Sequence, residues 1–350
     1  MKISQLYVYP VKSLRPASMT EAAITRSGFE YDRCFMLLKV NDENTGDFEN
    51  MHVSYYAELT LFLTDLVLPS EEGNDSGRIR VTYQSPVSSD SSQGRKTLEI
   101  PLEPDIQGLR ELDIVMHESP TKGYDMGHEY NDWFSECLGY RVILAYLGQN
   151  RRSVLGSLSP KAAARKQQNA NGGGGWLSMV MNSVPLLGGN GGDEGQITFA
   201  DCAAFLVVSE TSLHNVSARM AEGEEVDIIK FRPNIVVSGS EEAFEEDFWG
   251  ELTVGDEKVK LLLTANCTRC QSLNIDYTTG KFGTGESGKV LKKLMKDRRV
   301  DKGVKYSPVF GRYGFPDQAS NGMTLRVGDE VEVSKRLTER TTFDWPGLAY

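Results

Sequence analysis

The stretch Leu252–Cys270 reads LTVGDEKVKLLLTANCTRC. Its first half sets Gly255-Asp256 between apolar runs, the pattern of a tight hairpin. Val259-Lys260-Leu261-Leu262-Leu263 then reads as a strand, and it leads directly into Cys267-Thr268-Arg269-Cys270. A second segment, Leu325-Arg326-Val327-Gly328-Asp329-Glu330, repeats the Gly-Asp arrangement and predicts another hairpin. Between the two, Val290, Leu291, Leu294 and Met295 mark one amphipathic helix. Upstream, Phe205-Leu206-Val207-Val208 predicts a strand, followed by a short helix with Leu213, Val216 and Met220 at helical spacing.

The first half of the chain has the same character. Ile3–Val8 is β-branched and aromatic and stops at Pro10, as a strand does at a turn. A second strand is expected from Cys34 to Val40, preceded by Gly28 and Asp32-Arg33. A polar loop spans Pro69 to Gly94, interrupted by a short strand at Ile79–Tyr83. Tyr130, Trp133, Phe134, Cys137 and Leu138 fall on one helical face ahead of Gly139, which predicts a helix over Met126–Leu138. Short strands, hairpins and a few helices give an α+β class, predominantly β, with a β-barrel-like core and helical decoration. The expected division is residues 1–148, a Gly-rich insertion or linker at 149–196, a second domain at 197–337 and a C-terminal tail at 338–350. Glycine clusters at Gly172–Gly175 and Gly188–Gly192 make a flexible linker the simpler reading of the insertion.

The chain has 350 residues, 38 basic and 49 acidic, for a formal charge of −11. That balance disfavours nucleic-acid partners, because a phosphate backbone is repelled. No apolar run approaches the roughly 18 residues of a membrane span. The opening Met1-Lys2-Ile3-Ser4 passes straight into a strand pattern, so a soluble protein in the cytoplasm is expected. Five cysteines, an odd number widely spread, do not resemble a secreted disulfide framework, and reduced thiols follow. The four histidines, His52, His117, His128 and His214, are far apart and form no zinc-hydrolase pair. Gly283–Val290 nearly matches a phosphate loop, but Val290 stands where a magnesium-binding hydroxyl is needed, and a solvated loop is the better account.

Cys267-Thr268-Arg269-Cys270 is the informative motif. Half of a zinc site would lack its second CxxC or histidine pair, a dithiol redox pair would lack its βαβ context, and the third reading is one functional cysteine beside a packed one. A neighbouring arginine favours the thiolate, so one activated cysteine is chemically sensible. Tyr9-Pro10-Val11-Lys12-Ser13 has the makings of an anion-binding turn, although in isolation an ordinary surface turn with an exposed lysine is the better account. Phe231-Arg232-Pro233-Asn234 places an arginine and an amide at the entrance to a strand.

Taken in order, Tyr-Pro-Val-Lys-Ser, Tyr31-Asp32-Arg33, Phe-Arg-Pro-Asn, Cys-x-Arg-Cys and Tyr306-Ser307-Pro308-Val309-Phe310-Gly311-Arg312-Tyr313 resemble one family. It is that of the eukaryotic amidoxime-reducing components and their bacterial relatives, which carry an N-terminal MOSC barrel domain before a MOSC domain. The resemblance implies a MOSC β-barrel core preceded by a β-rich MOSC N-terminal domain. It implies a molybdopterin-type molybdenum cofactor, with Cys270 as the cysteine on the metal. It further implies that Lys12, Ser13, Arg33, Arg232, Asn234, Thr268, Arg269 and Tyr313 contact that cofactor. The implied reaction reduces N-hydroxylated compounds, with electrons from a flavin reductase through a small b-type cytochrome. No cysteine follows Cys270, so a fused C-terminal iron–sulfur cluster is excluded and a separate donor is needed. The alternative is a cofactor or sulfur carrier resembling the C-terminal domain of molybdenum-cofactor sulfurases. The sequence departs from the family at Cys202 and Ala203, where hydroxyl side chains are common, and it lacks the family's usual membrane anchor.

Overall fold

A computed structural model describes residues 1–42, 46–69, 76–86, 95–170 and 195–348. The glycine clusters at 172–175 and 188–192, and parts of the 69–94 loop, lie outside the described residues.

The protein is predominantly β, with a nearly closed barrel in its N-terminal region. Its largest sheet has eight strands, in the order 17–19, 2–8, 235–238, 205–209, 309–316, 259–268, 249–254 and 331–336. Neighbours are antiparallel except Phe205–Ser209 and Ile235–Ser238, which run parallel. The N-terminal strand Lys2–Val8 therefore completes a sheet otherwise built from the second half of the chain. A five-stranded sheet (111–116, 119–125, 142–146, 35–42, 47–50) and a three-stranded one (62–67, 78–84, 95–101) make up most of the rest.

Side-chain alternation accounts for these strands. In Glu111–Met116 the residues Leu112, Ile114 and Met116 are buried while Glu111, Asp113 and Val115 face out, the period of two that a half-buried antiparallel strand demands. Each such apolar side chain contributes about 1.5–3 kcal/mol by leaving water. The helix forms over His128–Leu138 and stops at Gly139, whose φ of 79° is the left-handed cap that lacks a Cβ penalty. Of its apolar face only Phe134 is fully buried; Trp133 packs edge-on against it.

Two expectations fail locally. Gly255-Asp256 does close a hairpin, Trp249–Val254 with Val259–Thr268. Gly328-Asp329 does not. Thr324–Arg326 pairs with Glu21–Thr25, while Val331–Arg336 pairs with Trp249–Val254, so this turn carries the chain between sheets. Local turn chemistry is the same in both places; the long-range partners differ. The linker reading also stops short of residues 149–170. Arg152–Ser153 pairs with Gln196–Ile197, and Pro160–Ala170 is a helix. Proline at its first position, three alanines, and the Ser159 hydroxyl accepting from the Ala162 amide at 3.3 Å are ordinary helix-start chemistry.

The C-terminal residues pack rather than trail, with Phe343 and Trp345 buried. Among the described residues no helix is long and apolar enough to cross a membrane.

Candidate cofactor cavity

A cavity of about 530 Å³ lies between the two halves of the sequence. Lys12, Ser13, Arg33, Arg232, Asn234, Thr268, Arg269, Cys270 and Tyr313 all line it. The fold thus gathers onto one surface nine residues that sequence reasoning drew from five separate motifs.

Two turns of the N-terminal half are fastened together at its base. The Arg33 amide donates to the Tyr9 carbonyl at 2.7 Å, and the Lys12 amide donates to the Phe35 carbonyl at 2.7 Å. Buried Asp32 accepts from the Tyr9 amide at 2.9 Å and from Asn234 Nδ2 at 3.1 Å, and it pairs with Arg33. Asn234 also accepts from Arg33 Nη1 at 3.1 Å and from the Leu206 amide at 3.2 Å. It is therefore a joint between the halves, with its amide already engaged. Ser13 is engaged as well: its hydroxyl donates to the Met51 carbonyl at 3.0 Å and accepts from the Val53 amide at 3.1 Å. Lys12 is not the exposed turn lysine of the simpler reading; it is 5% exposed.

Ser13, Arg33 and Arg232 have φ values of 72°, 53° and 55°. Left-handed backbone at residues with a Cβ costs of order 1–3 kcal/mol each and collects at sites where geometry matters more than stability. Here it turns two guanidinium groups toward one ring. Arg33 and Arg232 each lie 4.5 Å from the Tyr9 ring centre, one cation–π contact apiece. The Tyr9 hydroxyl is buried with no hydrogen-bond partner.

On the opposite half, strand Val259–Thr268 delivers the two cysteines. Cys270 is exposed to the cavity, its sulfur 3.2 Å from the Ser272 hydroxyl. Cys267 is buried. The arginine between them does not serve Cys270 in the way the sequence suggested. Arg269 Nη1 donates to the Cys267 sulfur at 2.9 Å and Nη2 to the Phe231 carbonyl at 2.6 Å. In an extended segment, adjacent side chains face opposite ways, so the arginine reaches the sulfur two residues back. Tyr313 sits beside Cys267 and Cys202, and burial first, then those thiols, push its hydroxyl well above the ordinary tyrosine range. Burial likewise raises the Cys202 thiol.

A third group was invisible in sequence. His52 and His117, 65 positions apart (117 − 52), meet with ring centres 5.0 Å apart, and His117 Nε2 lies 3.1 Å from Asp201 Oδ1. Lys12 Nζ pairs with the same carboxylate and donates to the Phe199 carbonyl at 3.1 Å. Burial opposes the Asp201 charge, but Lys12 and His117 hold the carboxyl well below its usual range. Burial and then the Lys12 charge depress His52 to about 3, leaving it neutral.

Charge decides what the cavity can hold. Arg232 and Arg269 have no carboxylate partner among the described residues, and Asp201 is the sole carboxylate on the lining. In a chain of charge −11 this concentrates positive charge around one thiol, a site for an anion with a soft metal.

Residues 1–141 match the MOSC N-terminal beta barrel domain, and residues 194–332 match the MOSC domain. The chain belongs to the MOSC family. The mitochondrial amidoxime reducing component 2 of Bos taurus is 28% identical to this MOSC chain over 335 residues, covering 94% of it and 82% of the relative. Component 1 of Mus musculus is 27% identical, with 94% and 81% covered. The molybdenum cofactor sulfurase of Arabidopsis thaliana is 25% identical, covering 94% of this chain but 35% of that longer protein. These names make the MOSC chain part of a molybdenum-cofactor-related family.

Proposed function

We propose that this protein is a molybdenum-cofactor-dependent reductase of N-hydroxylated compounds such as amidoximes and hydroxylamines. The observation that carries the reading is Cys270: a sulfur open to a cavity whose other walls present Lys12, Arg33, Arg232 and Arg269. The relatives named for amidoxime reduction support the reaction class.

The residues present fit a molybdopterin-type group. A thiolate suits a metal in a sulfur-rich shell, and guanidinium groups on the lining that no carboxylate neutralises, Arg232 and Arg269, suit a phosphate. Arg33 and Arg232, both on the lining, are each held 4.5 Å from the Tyr9 ring centre, so their positive charge is fixed at the cavity wall where an anionic group would sit. When bound, the cofactor supplies the two-electron chemistry that cleaves an N–O bond.

The chain's own part is to bind and orient. Cys270 donates its sulfur, Arg232 and Arg33 balance the anion with Tyr9 holding their planes, and Thr268 and Arg269 fix the loop that presents the thiol. Phe231, Val304, Phe343 and Leu348 on the lining limit water there. Electrons are supplied, in this reading, by a separate donor such as a small b-type cytochrome with its flavin reductase.

Protein made in a host that synthesises the cofactor is expected to reduce benzamidoxime when given a reduced b-type cytochrome. Bound molybdenum without turnover, together with handover of the cofactor to an apo-enzyme, would replace the reductase with the carrier.

A further inference from the structure

Three donor atoms in the cavity play no part in the proposal above. We propose that His52, His117 and Asp201 bind a divalent transition-metal cation of the zinc class, as a site separate from Cys270. One ligand atom from each lies within 4.8 Å of the other two. In a tetrahedral zinc site, bonds of about 2.0–2.1 Å put donor atoms roughly 3.4 Å apart. The His117–Asp201 edge, at 3.1 Å, already meets that spacing. The His52 nitrogen lies within 4.8 Å of both and has to close in. Two imidazoles and a carboxylate leave one coordination position open, and it faces the cavity that all three residues line.

The site is built, not merely a meeting of side chains. The backbone beside each ligand is held by buried or half-buried side chains. The Ser13 hydroxyl clamps the backbone on both sides of His52, at Met51 and Val53. Fully buried Arg152 donates to the Met116 and Ala200 carbonyls at 2.6 Å each, fixing the residues that precede His117 and Asp201. The Trp345 indole donates to the His117 carbonyl at 2.8 Å.

His117 and Glu118 also form the two-residue turn between strands Glu111–Met116 and Ser119–Asp125, with φ of 50° and 62°. Such turns ordinarily use Asn-Gly, because both positions are left-handed. A histidine kept in that strained place is consistent with a ligand aimed at a fixed point.

Lys12 is the competitor. Its ammonium now neutralises Asp201, so a cation entering the site must displace it. That gives the site a signature no adventitious surface site shares: removing the ammonium must tighten the metal.

The test is titration of the full chain with Co²⁺, read by its visible absorption and by metal per chain after gel filtration, with far-UV circular dichroism confirming the fold. One Co²⁺ per chain is expected. Affinity falls by about tenfold or more in His52→Ala and in His117→Ala, stays unchanged in Cys270→Ser, and rises in Lys12→Met. Should His117→Ala unfold, His52→Ala alone decides. Equal binding by wild type and His52→Ala overturns the proposal, as does the absence of binding or binding lost only in Cys270→Ser. The readout needs no molybdenum, so it stands apart from the reductase reading.

Discussion

Around Asp247 three arginines find acceptors within the protein, while beside Tyr9 Arg232 has no carboxylate partner. Arg298 Nη2 contacts both Asp247 oxygens at 2.7 and 2.9 Å, and Arg340 reaches one of them at 2.7 Å. Arg312 donates to the carbonyls of Trp249, Asp247 and Leu263 at 2.6, 3.1 and 3.2 Å, and also to Asn266 and Thr341. Arg298 and Arg340 share the Asp247 carboxylate and fully buried Arg312 is enclosed by neutral oxygens, so that region is structural. Arg232, by contrast, donates to the Leu14 carbonyl at 2.9 Å and stacks on a tyrosine, with no carboxylate to balance it. Charge answered internally holds a fold together; charge left facing a cavity waits for a ligand.

The sharpest way to break this contrast is at Asp247. Asp247→Asn strips the neutralising charge from a buried pair and is expected to cost about 3–5 kcal/mol in chemical denaturation. Molybdenum per folded chain should not change. If the variant is as stable as wild type, the Asp247 cluster is not the structural element described.

Next in size is Glu246, buried beside that cluster. Burial raises its carboxyl from 4.5 to about 7, against the hydrogen bond from Ser212. The folded state therefore keeps this proton at pH values where the unfolded state has lost it. Stability contributed by the protonated form is present below pH 4.5 and is lost as pH climbs toward about 7. The slope from this group is at most about 1.4 kcal/mol per pH unit. Denaturation of Glu246→Gln across pH 5–7 should lack that component; an unchanged slope contradicts the assignment.

The smallest effect is on the cavity side. Arg232→Gln is expected to leave the unfolding midpoint within about 0.5 kcal/mol of wild type. It should nonetheless weaken cofactor retention by about 1.5–3 kcal/mol, the value of a hydrogen bond to a charged group. Retention is measured as molybdenum remaining after dialysis. A large stability loss with normal retention would put Arg232 in the structural class after all.

Much of this was legible in the sequence because it was local. The strands at Lys2–Val8, Phe35–Asp42, Arg78–Gln84 and Phe205–Ser209, and the helix His128–Leu138, follow from side-chain period and a glycine cap. The nine cavity residues came from motif order. What stayed hidden depends on who meets whom across the chain. Gly328-Asp329 looks like Gly255-Asp256, yet its flanking strands join different sheets. In Val309–Pro316, Arg312 and Tyr313 are neighbours in one motif, but alternation sends one to the Asp247 cluster and the other to the cavity. His52 and His117 carry no sequence signal of partnership. Only the pairing of the first barrel's sheets brings them to Asp201.

The measurement that bears most directly on the account is molybdenum content of wild type and Cys270→Ala, both made in a cofactor-synthesising host and both checked for native circular dichroism. Wild type should carry the metal and Cys270→Ala should lose it with its fold intact. Equal molybdenum in the two proteins would contradict the claim that the Cys270 sulfur holds it.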